Sequence, residues 1–340
     1  RPAGRHAEAM APILDPAVRP LWRDPSTVQL GLDPRAVVLA GLDPGSAALL
    51  RDPAPAERLA RPLRLRLARL GVPTDDLGTR RSEGAASADS HLAPDLATAV
   101  LLTGSRSAAR TALDTRKRAH VRIEGAGRIG AGVAALLAGA GVGRLRVDDP
   151  GTVGPADTVP FGARSRDSGL RRDLACEAAV ERHLDRWAPS FDPGPAARPD
   201  LVVLAPVHGM ARSAAHGLVR EGVPHVVGLV EGTTAVVGPL VLPGRSACVQ
   251  CTDLHRAERD PAWPRLIAQA ETQRLQDAPC DLTLATLAAA QIACAVLALL
   301  GGSRPGLVDG TLETAVPGGV TRRRSWVPHP ACGCQWGGAS

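Results

Sequence analysis

One stretch constrains this chain more than any other: residues 121–149, VRIEGAGRIGAGVAALLAGAGVGRLRVDD. A short strand over 121–123 runs into Gly125, Gly127 and Gly130, then into an Ala/Leu/Gly helix of about three turns, then into a second strand ending at Asp148 and Asp149. That is half of a nucleotide-binding α/β unit. Gly125 permits the tight turn, Gly127 lets backbone N–H groups approach a phosphate, and Gly130 lets helix and strand pack closely. The helix N-terminus then faces the anion. Asp149 stands nineteen residues beyond Gly130, where a carboxylate accepts ribose hydroxyls. Such a loop suits ATP or a dinucleotide, so an NAD(P) oxidoreductase stays open on these residues alone.

With 340 residues, the chain holds two domains with real cores. The expected division is a disordered tail over 1–11, a small module over 12–115 and a nucleotide-binding domain over 116–340. In the module, strands are expected at 27–30 and 36–39, a short helix from Ser46 and a second at 57–70 carrying Leu59, Leu63, Leu67 and Leu70 at helical spacing. A third is expected near 93–102, followed by a polar segment to 120. This order fits a compact winged-helix-like module or a plain packing extension. Beyond residue 150, a Gly/Pro/Arg-rich loop precedes alternating helices and strands: a helix at 171–187, a strand at 200–205, a helix at 210–221 and a strand at 225–229. The alternation predicts an α/β fold with a doubly wound, mostly parallel, Rossmann-like sheet. A strand at 236–242 extends it, in an orientation that can be antiparallel.

The formal charge of +6 would invite an acidic partner, but of 40 basic residues only Lys117 is lysine. Such skew reflects base-composition pressure, and with no Tyr and two Phe there is little to stack on bases. No nucleic-acid partner is expected. Residues 282–300 run for nineteen residues without a charge, close to membrane-spanning length. Thr283, Thr286 and Gln291 interrupt them, and cysteine pairs flank them on both sides, so a buried core or interface helix is expected instead of a membrane span. No signal peptide is visible ahead of Met10. Seven cysteines, in tight pairs plus singles, point to a reducing, cytoplasmic setting.

Cys248 and Cys251 follow a Pro-Gly turn, and Cys332 and Cys334 sit near the end of the sequence. Two tight thiolate pairs in turn-rich sequence satisfy tetrahedral structural zinc. His329 is a lesser alternative ligand. Cys176 and Cys294 fall on expected helices and read as core residues, which leaves Cys280 as the thiol to test as an acceptor.

Across about 120–335 the residues resemble the ThiF/MoeB/HesA superfamily of ubiquitin-activating-like adenylyltransferases. The resemblance rests on GAGRIG, GAGVGRLRVDD, DLVVLA, VVGPLVLPGRSACVQC, the long Ala-rich helix and the final cysteine pair. It implies ATP with magnesium, activation of a peptide or ubiquitin-like C-terminus as acyl-adenylate, a structural zinc and a homodimer. It also implies site residues: Gly125, Gly127, Gly130 and Asp149 for the nucleotide, and Arg172 in place of the family's phosphate-binding lysine. Three departures follow from the same mapping. The family's second strand-end acid falls at Gly151, and its loop Asn and Arg fall near Asp157 and Pro160, so that Arg164 and Arg166 are the nearby substitutes. The acid supporting magnesium falls at Val207, with His208 and Arg212 after it. A valine cannot coordinate magnesium, so the expectation is an atypical or degenerate adenylyltransferase. The first hundred residues, including the WRDPSTVQLGLDP run, resemble the peptide-clamp winged helix of proteins that modify ribosomal peptides. This implies recruitment of a precursor peptide by edge-strand addition, for a partner modification enzyme.

Overall fold

Strand β4 (His120–Glu124) and strand β5 (Arg144–Asp148) flank helix α5 (Arg128–Gly139), as the glycine-rich stretch requires. In this computed structural model the described residues are 14–15, 17–51, 57–74, 90–191, 197–207, 209, 212–273 and 278–335, with the side chains of 57–61 excepted. The expected tail at 1–11, the Gly/Ala/Ser stretch near 83–90 up to residue 89, and His208 lie outside them. The chain divides into two units, residues 1–114 and 115–340.

The first unit has a three-stranded antiparallel sheet of β1 (Pro20–Asp24), β2 (Thr27–Leu30) and β3 (Val37–Leu39), in that order. Helices α1 (Pro44–Arg51) and α2 (Glu57–Arg69) share a core with this sheet, built on Val28, Leu39, Leu50, Leu63 and Leu67. Leu70, expected on the same face, is exposed, because Gly71 at φ 69° has already turned the chain. Helix α3 (Ala93–Thr103) is followed by α4 (Arg106–Arg118), which the sequence reading left as a polar segment. Only Ala109 and Leu113 of α4 are buried, too sparse a stripe to announce a helix. Asp15, 1 % exposed, accepts two hydrogen bonds from Arg106 at 2.8 and 3.0 Å, tying the start of the module to α4.

The second unit is built on a seven-stranded sheet, ordered β10-β9-β8-β7-β6-β4-β5. Its further strands are β6 (Leu201–Leu204), β7 (His225–Glu231), β8 (Thr234–Val241), β9 (Gly310–Ala315) and β10 (Val320–Ser325). Strands β5, β4, β6 and β7 are parallel, whereas β7, β8, β9 and β10 pair antiparallel. The sheet is thus mixed, with a longer antiparallel arm than the one strand foreseen. Strand β10 is exposed throughout and carries VTRRRS, which hides it from a search for apolar alternation. Helices α6 (Arg172–Leu184), α7 (Arg212–Arg220), α8 (Val249–Arg259) and α9 (Trp263–Thr272) flank the sheet.

Helix α10 (Leu282–Leu300) is the long apolar segment, and by length and composition it could cross a membrane. It packs instead against α5, β7 and β8, with Leu284, Ala288, Ile292 and Val296 buried. Small residues permit close approach: a Cβ on Gly132 of α5 would lie 2.9 Å from that of Ala289. The cysteine pairs before and after α10 meet one another, which a single crossing would prevent. Cys294, expected in the core, is exposed on this helix.

Candidate functional site: a glycine-loop cavity and a cysteine knuckle

The glycine loop is shaped by contacts that exclude any side chain. Gly125 has φ 101°, and a Cβ there would fall 2.1 Å from the Ala205 carbonyl oxygen; one on Gly130 would fall 1.8 Å from the Gly125 oxygen. The close helix–strand approach is therefore a backbone fact. Gly127 is the N-cap of α5, so N–H groups of the first turn have no helical partner. A Cβ on Gly127 would lie 2.8 Å from Val207 Cγ2, which places the valine methyl directly over the loop.

Beside the loop lies a cavity of about 760 Å³, lined among others by Gly127, Arg128, Ile129, Arg172, Val207 and Glu231. Its volume lies within the range of small-molecule and cofactor sites. Arg128 donates to the carbonyls of Ala156 at 2.7 Å and Cys280 at 2.8 Å, so its charge faces the cavity with no carboxylate paired to it. Asp157 accepts from Gly154 N–H, and Asp281 caps α10 by accepting from Thr283 and Leu284 N–H. Glu231, at the end of β7, is the lining acid with no hydrogen bond or ion pair among the described residues.

Asp149 is 5 % exposed and does not line the cavity. Its carboxylate accepts from Ala126 N–H at 2.8 Å, Gly151 N–H at 2.9 Å and Arg172 at 3.0 Å. Burial works to raise this carboxyl, but Arg172 and the two N–H groups outweigh it and hold it below the usual carboxylate range. Gly151 makes the arrangement possible, since a Cβ there would collide with the Arg172 guanidinium at 2.0 Å. Where the family resemblance places a second acid, this chain has an arginine's head group. Arg164 and Arg166 are exposed around the short 3₁₀ turn Ser165–Asp167 and do not line the cavity. Arg212 is committed elsewhere, pairing with Asp253 at 2.7 Å and Glu271 at 3.2 Å.

Sequence reasoning passed over Arg128 and Glu231. Arg128 stands inside the glycine motif at the first helical position, and Glu231 ends an apolar strand run at the sheet's carboxyl side, where ligands of such sheets bind. Cys280 lines the cavity, but burial raises its thiol above the ordinary value, which disfavours the thiolate. Cys176 is buried and pushed up to about 12.

Cys248, Cys251, Cys332 and Cys334 converge, with all four sulfurs within 4.8 Å of one another. The Cys248–Cys251 separation is 3.7 Å, and Cys248–Cys332 and Cys251–Cys334 are each 3.5 Å. Sulfurs at 2.3 Å from a tetrahedral zinc stand about 3.8 Å apart, so the donor set fits that ion. The Cys248 thiol donates to Cys251, and the backbone N–H of His329 adds to this; together they overcome burial and favour the thiolate at Cys251. His329 serves the knuckle through its backbone, while its ring Nε2 donates to Glu258 at 2.9 Å and Nδ1 accepts from Ala331 N–H.

The mixed sheet, glycine loop and cysteine knuckle together define a ThiF/MoeB-like fold. Among solved structures, E. coli MccB with ATP matches at TM-score 0.69 and 16 % identity, over 95 % of this chain and 99 % of that one. The microcin C7 biosynthetic enzyme MccB in complex with N-formylated MccA matches at TM-score 0.70 and 17 % identity, over 95 % and 99 %. PaaA matches at TM-score 0.69 and 14 % identity, over 93 % and 100 %. No protein-family model matches the sequence, and neither does any curated protein.

Proposed function

We propose that this chain binds ATP at the glycine loop and a peptide or small-protein partner, that its machinery for carboxylate adenylation is incomplete, and that it recruits a precursor peptide for modification by a partner enzyme. The observation that carries the reading is Val207, whose methyl group covers Gly127 where an acid would have to stand to hold magnesium. The unpaired N–H groups of α5 and the Arg128 guanidinium favour a triphosphate. Arg172 adds charge only after leaving Asp149, because its present hydrogen bonds consume the carboxylate that would accept a ribose. Zinc on the four cysteines would supply a structural clip between α8 and the segment after β10, taking no part in chemistry. The likeness to MccB, with ATP and with MccA, supports both ligands. Peptide addition to the edge of the β1–β3 sheet and a homodimer belong to the same reading.

A working adenylyltransferase is the second reading, and Glu231 favours it. This carboxylate ends β7, next to β6 whose end bears Val207, and is free to serve a cation. ATP–pyrophosphate exchange, measured with magnesium and candidate peptides, separates the two. Weak or absent exchange with intact ATP binding is expected; robust exchange would overturn the degenerate reading in favour of the second.

A further inference from the structure

On the antiparallel arm, outside the lining of the cavity, Arg256 of α8 is a half-buried guanidinium with no hydrogen bond or ion pair to its side chain among the described residues. It lies between two indole rings, 5.0 Å from the Trp263 centroid and 5.4 Å from that of Trp326. Both rings are pinned by their own N–H groups, Trp263 donating to Asp253 at 3.0 Å and Trp326 to Thr311 at 3.1 Å. The surrounding acids are spent: Asp253 on Arg212, and Glu313 on Arg324 at 3.0 and 3.2 Å. A cation removed from water without a counterion is costly, and burial holds Arg256 below the ordinary arginine value. Arg324 also approaches the Trp326 ring, at 5.8 Å, and Arg322 shares its face of β10 by strand alternation with no acid paired to it. The face therefore carries positive charge in excess of its carboxylates, around a planar fork already oriented by stacking.

We propose that Arg256, held by Trp263 and Trp326, is a docking site for a carboxylate of a partner polypeptide, an Asp or Glu side chain or a C-terminus within an acidic segment, with Arg322 and Arg324 extending the site along β10. Stacking fixes the guanidinium plane and leaves its edge to form two parallel N–H···O bonds. That the carboxylate belongs to a polypeptide rests on the reading above; the site itself is independent of the nucleotide.

Fluorescence anisotropy with the labelled hexapeptide Ac-AEEAEA-NH₂ and its AQQAQA counterpart, at about physiological salt where weak surface pairing is screened, tests the site. The expected result is binding of the glutamate peptide at least about tenfold tighter than the glutamine one, a tenfold change being about 1.4 kcal/mol. Arg256→Met should abolish this preference, and Arg256→Lys should weaken it, because the charge survives but the fork does not. Arg259→Met, which removes the same charge one turn along α8, should leave it intact. Melting temperature, zinc content and the stabilisation by ATP are followed in each variant. Loss of the ATP effect in wild type with peptide selectivity retained would sink the nucleotide reading alone. Absence of glutamate selectivity in wild type, an unaffected Arg256→Met, or equal losses in Arg259→Met would overturn the docking site.

Discussion

His225 shows how one buried side chain sets a pH dependence. It is fully buried at the start of β7, its Nδ1 facing the Val223 carbonyl at 3.0 Å and its Nε2 without a partner. Burial pushes its pKa down from 6.5 to about 4. Because the folded value is depressed, the unfolded chain binds the extra proton between these values, and stability falls as pH drops through that window. About 3 kcal/mol should disappear between pH 6.5 and 4, and His225→Leu should flatten that part of a denaturation profile. At Gly130 the prediction concerns space. Gly130→Ala must displace the Gly125 carbonyl, a backbone atom, and should cost about 3 kcal/mol or more. At Gly127, ATP should raise the melting temperature of the wild type, and Gly127→Leu should remove the shift; no shift in wild type would count against the nucleotide cavity.

Elements are joined here by compact clusters. Arg212, at the first position of α7, binds Asp253 of α8 and Glu271 of α9, and its side chain and that of Asp253 are each 12 % exposed. Removing one partner leaves the other charge buried, so Arg212→Ala should cost about 3 kcal/mol, read by urea denaturation. The cysteine knuckle ties α8 to the chain beyond β10. Purified protein should hold one zinc per four cysteines, and a strong chelator should lower the melting temperature while α5 and the parallel strands stay ordered by hydrogen exchange. Protein free of zinc that melted no earlier would remove the structural role. The cysteines could be read from their spacing, because a thiolate pair in a turn has few other uses. Helix α4 and the β9–β10 hairpin could not, since polar and arginine-rich surfaces obscure the apolar period on which an assignment depends.

For the whole molecule, binding and chemistry come apart at one position. Val207→Asp should raise magnesium-dependent ATP affinity and exchange activity if the missing acid is what limits the site; an unchanged variant would point to the Arg172–Asp149 pairing instead. The residues 121–149 by themselves determined the turn, the helix and the half-sheet, because glycines with no room for a Cβ and a strand–helix–strand period leave few alternatives. They also determined where an anion is drawn, since helix polarity is local. What Asp149 does was decided only in three dimensions: Gly151, two residues on, opens the space into which Arg172 of α6 reaches, and the expected ribose acceptor becomes a buried counterion. The same holds for Val207, Glu231 and Arg256. Their roles depend on which side chains the sheet and helices bring beside them and on which charges are already paired, and long-range packing sets both.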